Sequence, residues 1–399
     1  IFLAAVSYMS RSALVLSVLI VALGIGAFWL TTRTDDASID TSVAVADAMG
    51  SDTTGYRRAA TPRAFVFPED HGPHPGFKTE WWYLTGNLST AAGRRIGYQW
   101  TLFRVALNPP DRHPMRLAGT ADTTSWQTNQ FYMGHFAISD VANEQHYDAE
   151  QFERVSAGLA GAQAEPFRVW LGNWSIEQTG SQPFPARLRA HDEAIGLDIV
   201  VNPVKPHVLQ GKRGLSQKGP GTGNASYYYS YTRMNAEGIA VVEGDTLQVT
   251  GSSWMDREWS TSALGEDQVG WDWFSLQLDD GRDLMYYQLR KTDGTPSRFS
   301  EGVVVAKDGS STPIGREDVT LEVLERWTTP DGSRSYPVRW RLQVPAHGLD
   351  LPIEATFPNQ EMNTSVRYWE GAVTIDGDTP GRGYVEMTGY GDSPASRTS

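Results

Sequence analysis

The chain has 399 residues, with 34 Lys and Arg against 47 Asp and Glu, a formal net charge of −13, and 40% hydrophobic residues. That apolar share is enough to build real cores and excludes global disorder, while acidity without a long basic run argues against a nucleic-acid partner. Cysteine is absent, which removes disulfides, thiolate zinc sites and cysteine nucleophiles.

Residues 13–30 form an uncharged apolar run after Arg11, with Asp35 and Asp36 beyond it. A bilayer-crossing helix needs about twenty residues and a secretory apolar region about 7–15, so 1–33 is predicted as a transmembrane or signal helix. Arg11 ahead of the run predicts an N-inside orientation and an exported body, periplasmic or on the outer face of the inner membrane. Residues 34–61, rich in Ala, Ser, Thr and Asp, read as a flexible tether.

From Phe65 onward the pattern changes to aromatic and β-branched residues at period two, broken by Gly, Asp-Gly and Pro-Asp-Gly turns. A hairpin is predicted at 82–107, turning at Ala91-Ala92-Gly93. Further strands are predicted at 131–138, 167–176, 186–201, 319–327 and 338–344, with a closing strand at 384–390. No amphipathic helix of more than three turns follows residue 33. The fold class is therefore all-β, in barrels or sandwiches. Two units are expected, 62–258 and 259–394. Trp82-Tyr83 before Gly93-Arg94 and Tyr98 echoes Trp273-Phe274 before Gly281-Arg282 and Tyr286, as two related hairpins would.

Fourteen tryptophans are present, and three blocks set carboxylates beside them: Glu80-Trp81-Trp82-Tyr83, Trp254-Met255-Asp256-Arg257-Glu258-Trp259 and Trp271-Asp272-Trp273. Indoles supply apolar walls and a cation-tolerant face, and an acid among them loses hydration and stays protonated to higher pH. The three blocks are expected to converge on one apolar hollow holding a hydrophobic small molecule. Asp256 is the first candidate proton donor, with Glu80, His135 and Asp272 as further catalytic candidates. Trp82, Trp254, Trp259, Trp273, Tyr228 and Arg257 are the expected ligand contacts. Arg257 has a second reading, an ion pair with Asp256 or Glu258, and pairing with Asp256 would lower that acid's pKa. Tyr227-Tyr228-Tyr229-Ser230-Tyr231 alternates faces, so one set of tyrosines points inward.

Other signals are weaker. His71 and His74 lack the partners that would complete a metal site. The glycine-rich stretch 219–223 has no strand-to-helix setting. No Gly-x-Ser-x-Gly motif is present to carry serine hydrolysis.

Several blocks occur together in a specific order: Phe77-Lys78-Thr79-Glu80-Trp81-Trp82-Tyr83-Leu84-Thr85-Gly86, Gly134-His135-Phe136-Ala137, Ser253-Trp254-Met255-Asp256-Arg257-Glu258-Trp259, Gly270-Trp271-Asp272-Trp273 and Tyr368-Trp369-Glu370-Gly371. In that order they resemble the AttH-like, carotenoid 1,2-hydratase-related family, some of whose members are labelled secreted hydrolases. The resemblance covers roughly 62–392. It implies two lipocalin-like antiparallel β-barrels in tandem, with no metal or organic cofactor required. It also implies relatives that hydrate isoprenoid or prenylated substrates, and more distant pericyclases. The function expected on both grounds is binding of an isoprenoid- or lipid-like ligand, with hydration or isomerisation of an alkene by acid–base chemistry. The rival reading is a non-catalytic periplasmic lipid carrier, or a partner of a membrane transport complex.

Overall fold

A computed structural model of the chain describes residues 53–110, 129–155, 158–261 and 264–391. The expected membrane or signal helix lies outside them, as does most of the expected tether. Among the described residues no helix is long and apolar enough to cross a membrane, and every regular element beyond three short 3-10 turns is a β-strand.

The first sheet has thirteen antiparallel strands. They are β1 (Thr79–Ser89), β2 (Arg95–Ala106), β3 (Gln130–Asp140), β4 (Gln145–Arg154), β5 (Ala160–Gln163), β6 (Arg168–Leu171), β7 (Trp174–Gln178), β8 (Ala186–His191), β9 (Ile195–Pro203), β10 (Val208–Leu209), β11 (Leu215–Gln217), β12 (Ala225–Val242) and β13 (Asp245–Ser260). Their order is β4-β3-β2-β1-β13-β12-β9-β8-β7-β6-β5, with β10 and β11 added to β12. The second sheet has ten strands: β14 (Gln268–Leu278), β15 (Asp283–Lys291), β16 (Glu301–Val305), β17 (Ser311–Gly315), β18 (Thr320–Thr328), β19 (Ser335–Val344), β20 (Leu349–Ala355), β21 (Glu361–Asn363), β22 (Arg367–Ile375) and β23 (Gly381–Met387). Its order is β17-β16-β15-β14-β23-β22-β20-β19-β18, with β21 on β22. The two sheets curl into tandem lipocalin-like near-barrels, as the resemblance implied.

Period-two alternation builds each interior. Trp82, Leu84 and Leu88 of β1 meet Tyr98, Trp100 and Leu102 of β2 in the first core. Phe274 and Leu276 of β14 meet Trp340 and Leu342 of β19 in the second. The longest hairpin, β12–β13, was not anticipated. It turns at Glu243-Gly244, both with positive φ (51° and 85°), which is the backbone a two-residue hairpin turn needs. The stretches 167–176 and 186–201 each split into two strands. The first breaks at Gly172, which sits in the left-handed region, and the second at 192–194. The internal echo fails in facing. Trp82 points into the first core, whereas Trp273 points out of the second.

The outward faces of β1, β2 and β12 pack against those of β14, β15, β22 and β23, and β13 is bonded to β14. Polar contacts fasten this junction. Asn87 Nδ2 donates to the Gly383 carbonyl at 3.0 Å, and Gln277 Nε2 donates to the carbonyls of Thr232 and Ser253 at 2.8 and 2.9 Å. Asp283 is fully buried between Lys205 and Arg233, at 2.6 and 2.7 Å. At its start the described chain is also packed down, with Ala59 buried and the Tyr56 hydroxyl donating to the Ala106 carbonyl at 2.9 Å.

Candidate active site in the cleft between the sheets

Alternation along β13 decides which side chains meet the second sheet. Asp256, Glu258 and Ser260 face outward into a cleft, while Met255 and Arg257 face inward. On the flanking strands Tyr83 lies opposite Asp256 across β1, and Ser230 lies opposite it across β12. The second sheet supplies Trp271 and Trp273 from β14, Tyr287 from β15, Tyr368 and Glu370 from β22, and Glu386 from β23. The empty space is about 1070 Å³, its open mouth included, and its walls are mainly apolar, with tryptophan and tyrosine rings prominent among them. A mostly apolar lining with a few convergent polar groups is the kind that small-molecule sites have.

Asp256 sits at the centre of a donor network. Its Oδ1 accepts from the Ser230 hydroxyl at 2.5 Å and the Trp254 indole N–H at 2.7 Å, and its Oδ2 accepts from the Tyr228 hydroxyl at 2.5 Å. Trp273 in turn donates its indole N–H to the Tyr228 oxygen at 3.2 Å. Burial in this apolar setting raises the Asp256 carboxyl to about 7. It outweighs the three donors, and Glu258 adds a further upward push. The Ser230 and Tyr228 hydroxyls can rotate from donor to acceptor, so the network accommodates Asp256 with or without its proton. That is the behaviour a general acid working near neutral pH requires.

The opposite wall carries two more acids. Glu386 is raised to about 8, first by burial and then by the charges of Asp256 and Glu258, against a 2.7 Å bond from the Trp271 indole N–H. Glu370 is raised well above the ordinary carboxyl range by burial and by Glu386, and accepts the Tyr83 hydroxyl at 3.0 Å. Lys218 lies 3.5 Å from Glu258 and sits over the Tyr287 ring, 3.8 Å from its centroid. Trp273 packs edge-on against Tyr83 and Trp254, with centroids 5.1 and 6.2 Å away.

Of the expected site residues, the cleft gathers Asp256, His135, Tyr228 and Trp273. Trp254 stands just behind them, bonded to Asp256. His135 is fully buried, with Nδ1 2.7 Å from the Tyr368 hydroxyl and Nε2 2.9 Å from Glu150, so it ties β3 to both β4 and the second sheet.

The expected convergence of all three indole-flanked acids does not occur. Glu80 faces the interior, in an ion-paired knot with Arg104 and Arg257 and with the His74 backbone N–H at 2.9 Å. Burial alone would raise its pKa, but the two guanidinium groups hold it well below the usual range. Arg257 lies 3.9 Å from the Trp82 ring centroid, so both residues belong to that interior and not to the ligand wall. Trp259 stacks on His74 at 3.8 Å beneath the segment before β1. Asp272 points into the second barrel, bonded to Arg290 at 3.1 Å and to the Tyr390 hydroxyl at 3.0 Å. The physical reason is common to all of them. In a strand, residues adjacent in sequence face opposite sides, so a carboxylate beside a cleft-facing indole points away from the cleft.

Glu370, Glu386, Glu258, Tyr83 and Lys218 were missed. The signal that finds four of them is spacing by two: Tyr368/Glu370, Tyr384/Glu386, Asp256/Glu258 and Trp81/Tyr83 each share a face. Lys218 lies just past β11, outside any such pattern. Among the described residues no group of three or more His, Asp or Glu is arranged to hold a metal ion.

Comparison with known proteins agrees with this architecture. A candidate AttH of Nitrosomonas europaea, known from its crystal structure, is 32% identical, with a TM-score of 0.73 over 84% of this chain and 99% of its own. Kievitone hydratase from Nectria haematococca shares the fold at 16% identity, with a TM-score of 0.59 over 84% of this chain and 96% of that one. CghA, solved with Sch210972, shares it at 12% identity, with a TM-score of 0.50 over 86% and 98%. No curated protein sequence matches the chain. The AttH-like family matches over residues 58–390, and the chain belongs to that family.

Proposed function

We propose that the protein is a hydratase or isomerase of an apolar, alkene-bearing ligand that uses its own acids and no cofactor. The observation that carries this reading is Asp256. It is a buried acid on an aromatic cleft, held near its protonation midpoint at neutral pH by burial. Protonation of a trisubstituted alkene by Asp256 forms a C–H bond at the less substituted carbon and leaves a tertiary cation on the other. The faces of Trp273 and Tyr83 stabilise that cation electrostatically without bonding to it. In hydration a water oxygen bonds to the cation and its surplus proton returns to the cleft carboxylates. The net change is then one H and one OH added. In isomerisation a neighbouring C–H gives up the proton instead, and nothing is added. The hydratase neighbour fits this reading but supports the fold alone at its identity. Export and a membrane tether belong to the same proposal. They rest on the apolar run at 13–30.

The test is incubation of the protein with a prenylated phenol in 18O-labelled water, with wild type compared against Asp256→Asn. The expected result is a product heavier by one labelled water, or an isomer of unchanged mass, from wild type only, with ligand retention near normal in the variant. A wild type that retains apolar molecules and converts none would leave the carrier reading in its place.

A further inference from the structure

The acids of the cleft are unequally served. Asp256 receives three donors, and Glu258 has Lys218 beside it. Among the described residues Glu370 and Glu386 have one neutral donor each, and no basic side chain offsets the charge of either. They are direct cross-strand partners on β22 and β23, facing the same space. Such partners place their Cβ atoms about 4.5–5.5 Å apart. Glu370 is 1% exposed, yet its Oε1 has no hydrogen-bond partner among the described residues. An unmatched buried acceptor costs free energy, and ionising either of two facing acids without a cation costs more, unless a ligand supplies what is missing.

We infer that the cleft takes an apolar ligand carrying a protonated amine, with its N–H groups directed at Glu370 and Glu386 and its hydrocarbon against Trp271, Trp273 and Tyr83. Three features of the chemistry converge here. The amine supplies the donor that Glu370 Oε1 lacks and the positive charge that the pair lacks. Indole and phenol faces attract an organic cation further once water is excluded. Lys218, just past β11 of the first sheet, beside Glu258 and over Tyr287 of the second, repels the ammonium end and so orients the ligand toward β22 and β23. Both acids are held toward their protonated forms when the cleft is empty, so at neutral pH amine binding expels a proton. His135, an imidazole on the cleft wall, is already engaged by Tyr368 and Glu150. This assignment deepens the proposed ligand site and does not depend on proton transfer by Asp256.

The experiment is titration calorimetry of the full chain near pH 7 with 4-tert-butylbenzylamine and with 4-tert-butylbenzyl alcohol, in two buffers of different ionisation enthalpy. The amine is expected to bind at least tenfold tighter than the alcohol and to release a proton on binding. Glu370→Gln and Glu386→Gln keep the acceptors that Tyr83 and Trp271 use, so both variants are expected to melt at or above the wild-type temperature. Each is expected to lose most of the amine preference while binding the alcohol unchanged. Equal binding of the two probes, retention of the preference in both variants, or no binding of either probe at millimolar concentration overturns the inference. Conversion of a neutral alkene by wild type alongside equal probe binding would remove only this assignment. Amine selectivity without Asp256-dependent chemistry would remove only the reaction.

Discussion

Asp256 and Arg257 are adjacent in sequence, but they never meet. One stands in the cleft among Tyr228, Ser230 and Trp254, and the other stands inside the first barrel against Glu80. This separation leaves the cleft acid without a guanidinium to ionise it. It gives the interior acid two guanidinium groups instead. Adjacent positions of β13 therefore serve two carboxylate environments of opposite sign, that of Asp256 itself and that of Glu80 on β1, and each makes its own prediction.

The Glu80 knot is structural. Removing one partner of a buried ion pair leaves an uncompensated charge, at a cost of about 3–5 kcal/mol. Glu80→Gln leaves Arg104 and Arg257 in that state. Urea unfolding should show a loss of this size, with the midpoint shifted and the slope nearly unchanged. A loss below about 1 kcal/mol would mean that water reaches the knot.

Asp256 has the reverse linkage. Its pKa is raised in the fold to about 7 from an ordinary 3.8, so the folded state binds the proton more tightly than the unfolded chain does. The stability it contributes is fully present below the ordinary value and is lost as pH rises toward 7, roughly a few kcal/mol in all. Glu386 extends the decline to about 8. Asp256→Asn removes one titration. Its stability, measured by unfolding between about pH 4.5 and 7.5, should fall less with pH than that of wild type.

Gly97 sets the closeness of the two sheets. A Cβ added there would lie 2.7 Å from the Ala372 Cβ and 3.3 Å from the Ser139 Cβ. Gly97→Ala is expected to cost about 1–3 kcal/mol through overpacking. The wedge falls in the junction between the sheets, so proteolysis should report the sheets loosening from each other before either core unfolds.

Much of the fold was legible because aromatic and β-branched residues alternate over most strands, and alternation is itself the statement that one face is buried. The β12–β13 hairpin escaped because its turn is Glu243-Gly244, without the Asn-Gly or Asp-Gly that usually marks one. The site was half legible. Asp256, Tyr228 and Trp273 were legible as residues that line the cleft because aromatic density marks it. Glu80 and Asp272 were misplaced because adjacency in sequence was read as adjacency in space. Glu370 and Glu386 were overlooked because no indole shares their face on their own strand. Their hydrogen-bond partners, Tyr83 and Trp271, come from β1 and β14, so the only local mark of their face is a tyrosine two residues before each, Tyr368 and Tyr384.

The protonation state of Asp256 is open to direct observation. Carbon-13 NMR of aspartate-labelled protein, with Asp256→Asn used to assign the resonance, should show its carboxyl carbon titrating with a midpoint near 7. A midpoint below about 5, within the ordinary range of aspartates in folded proteins, would show an ionised carboxylate in the cleft at neutral pH and contradict the account.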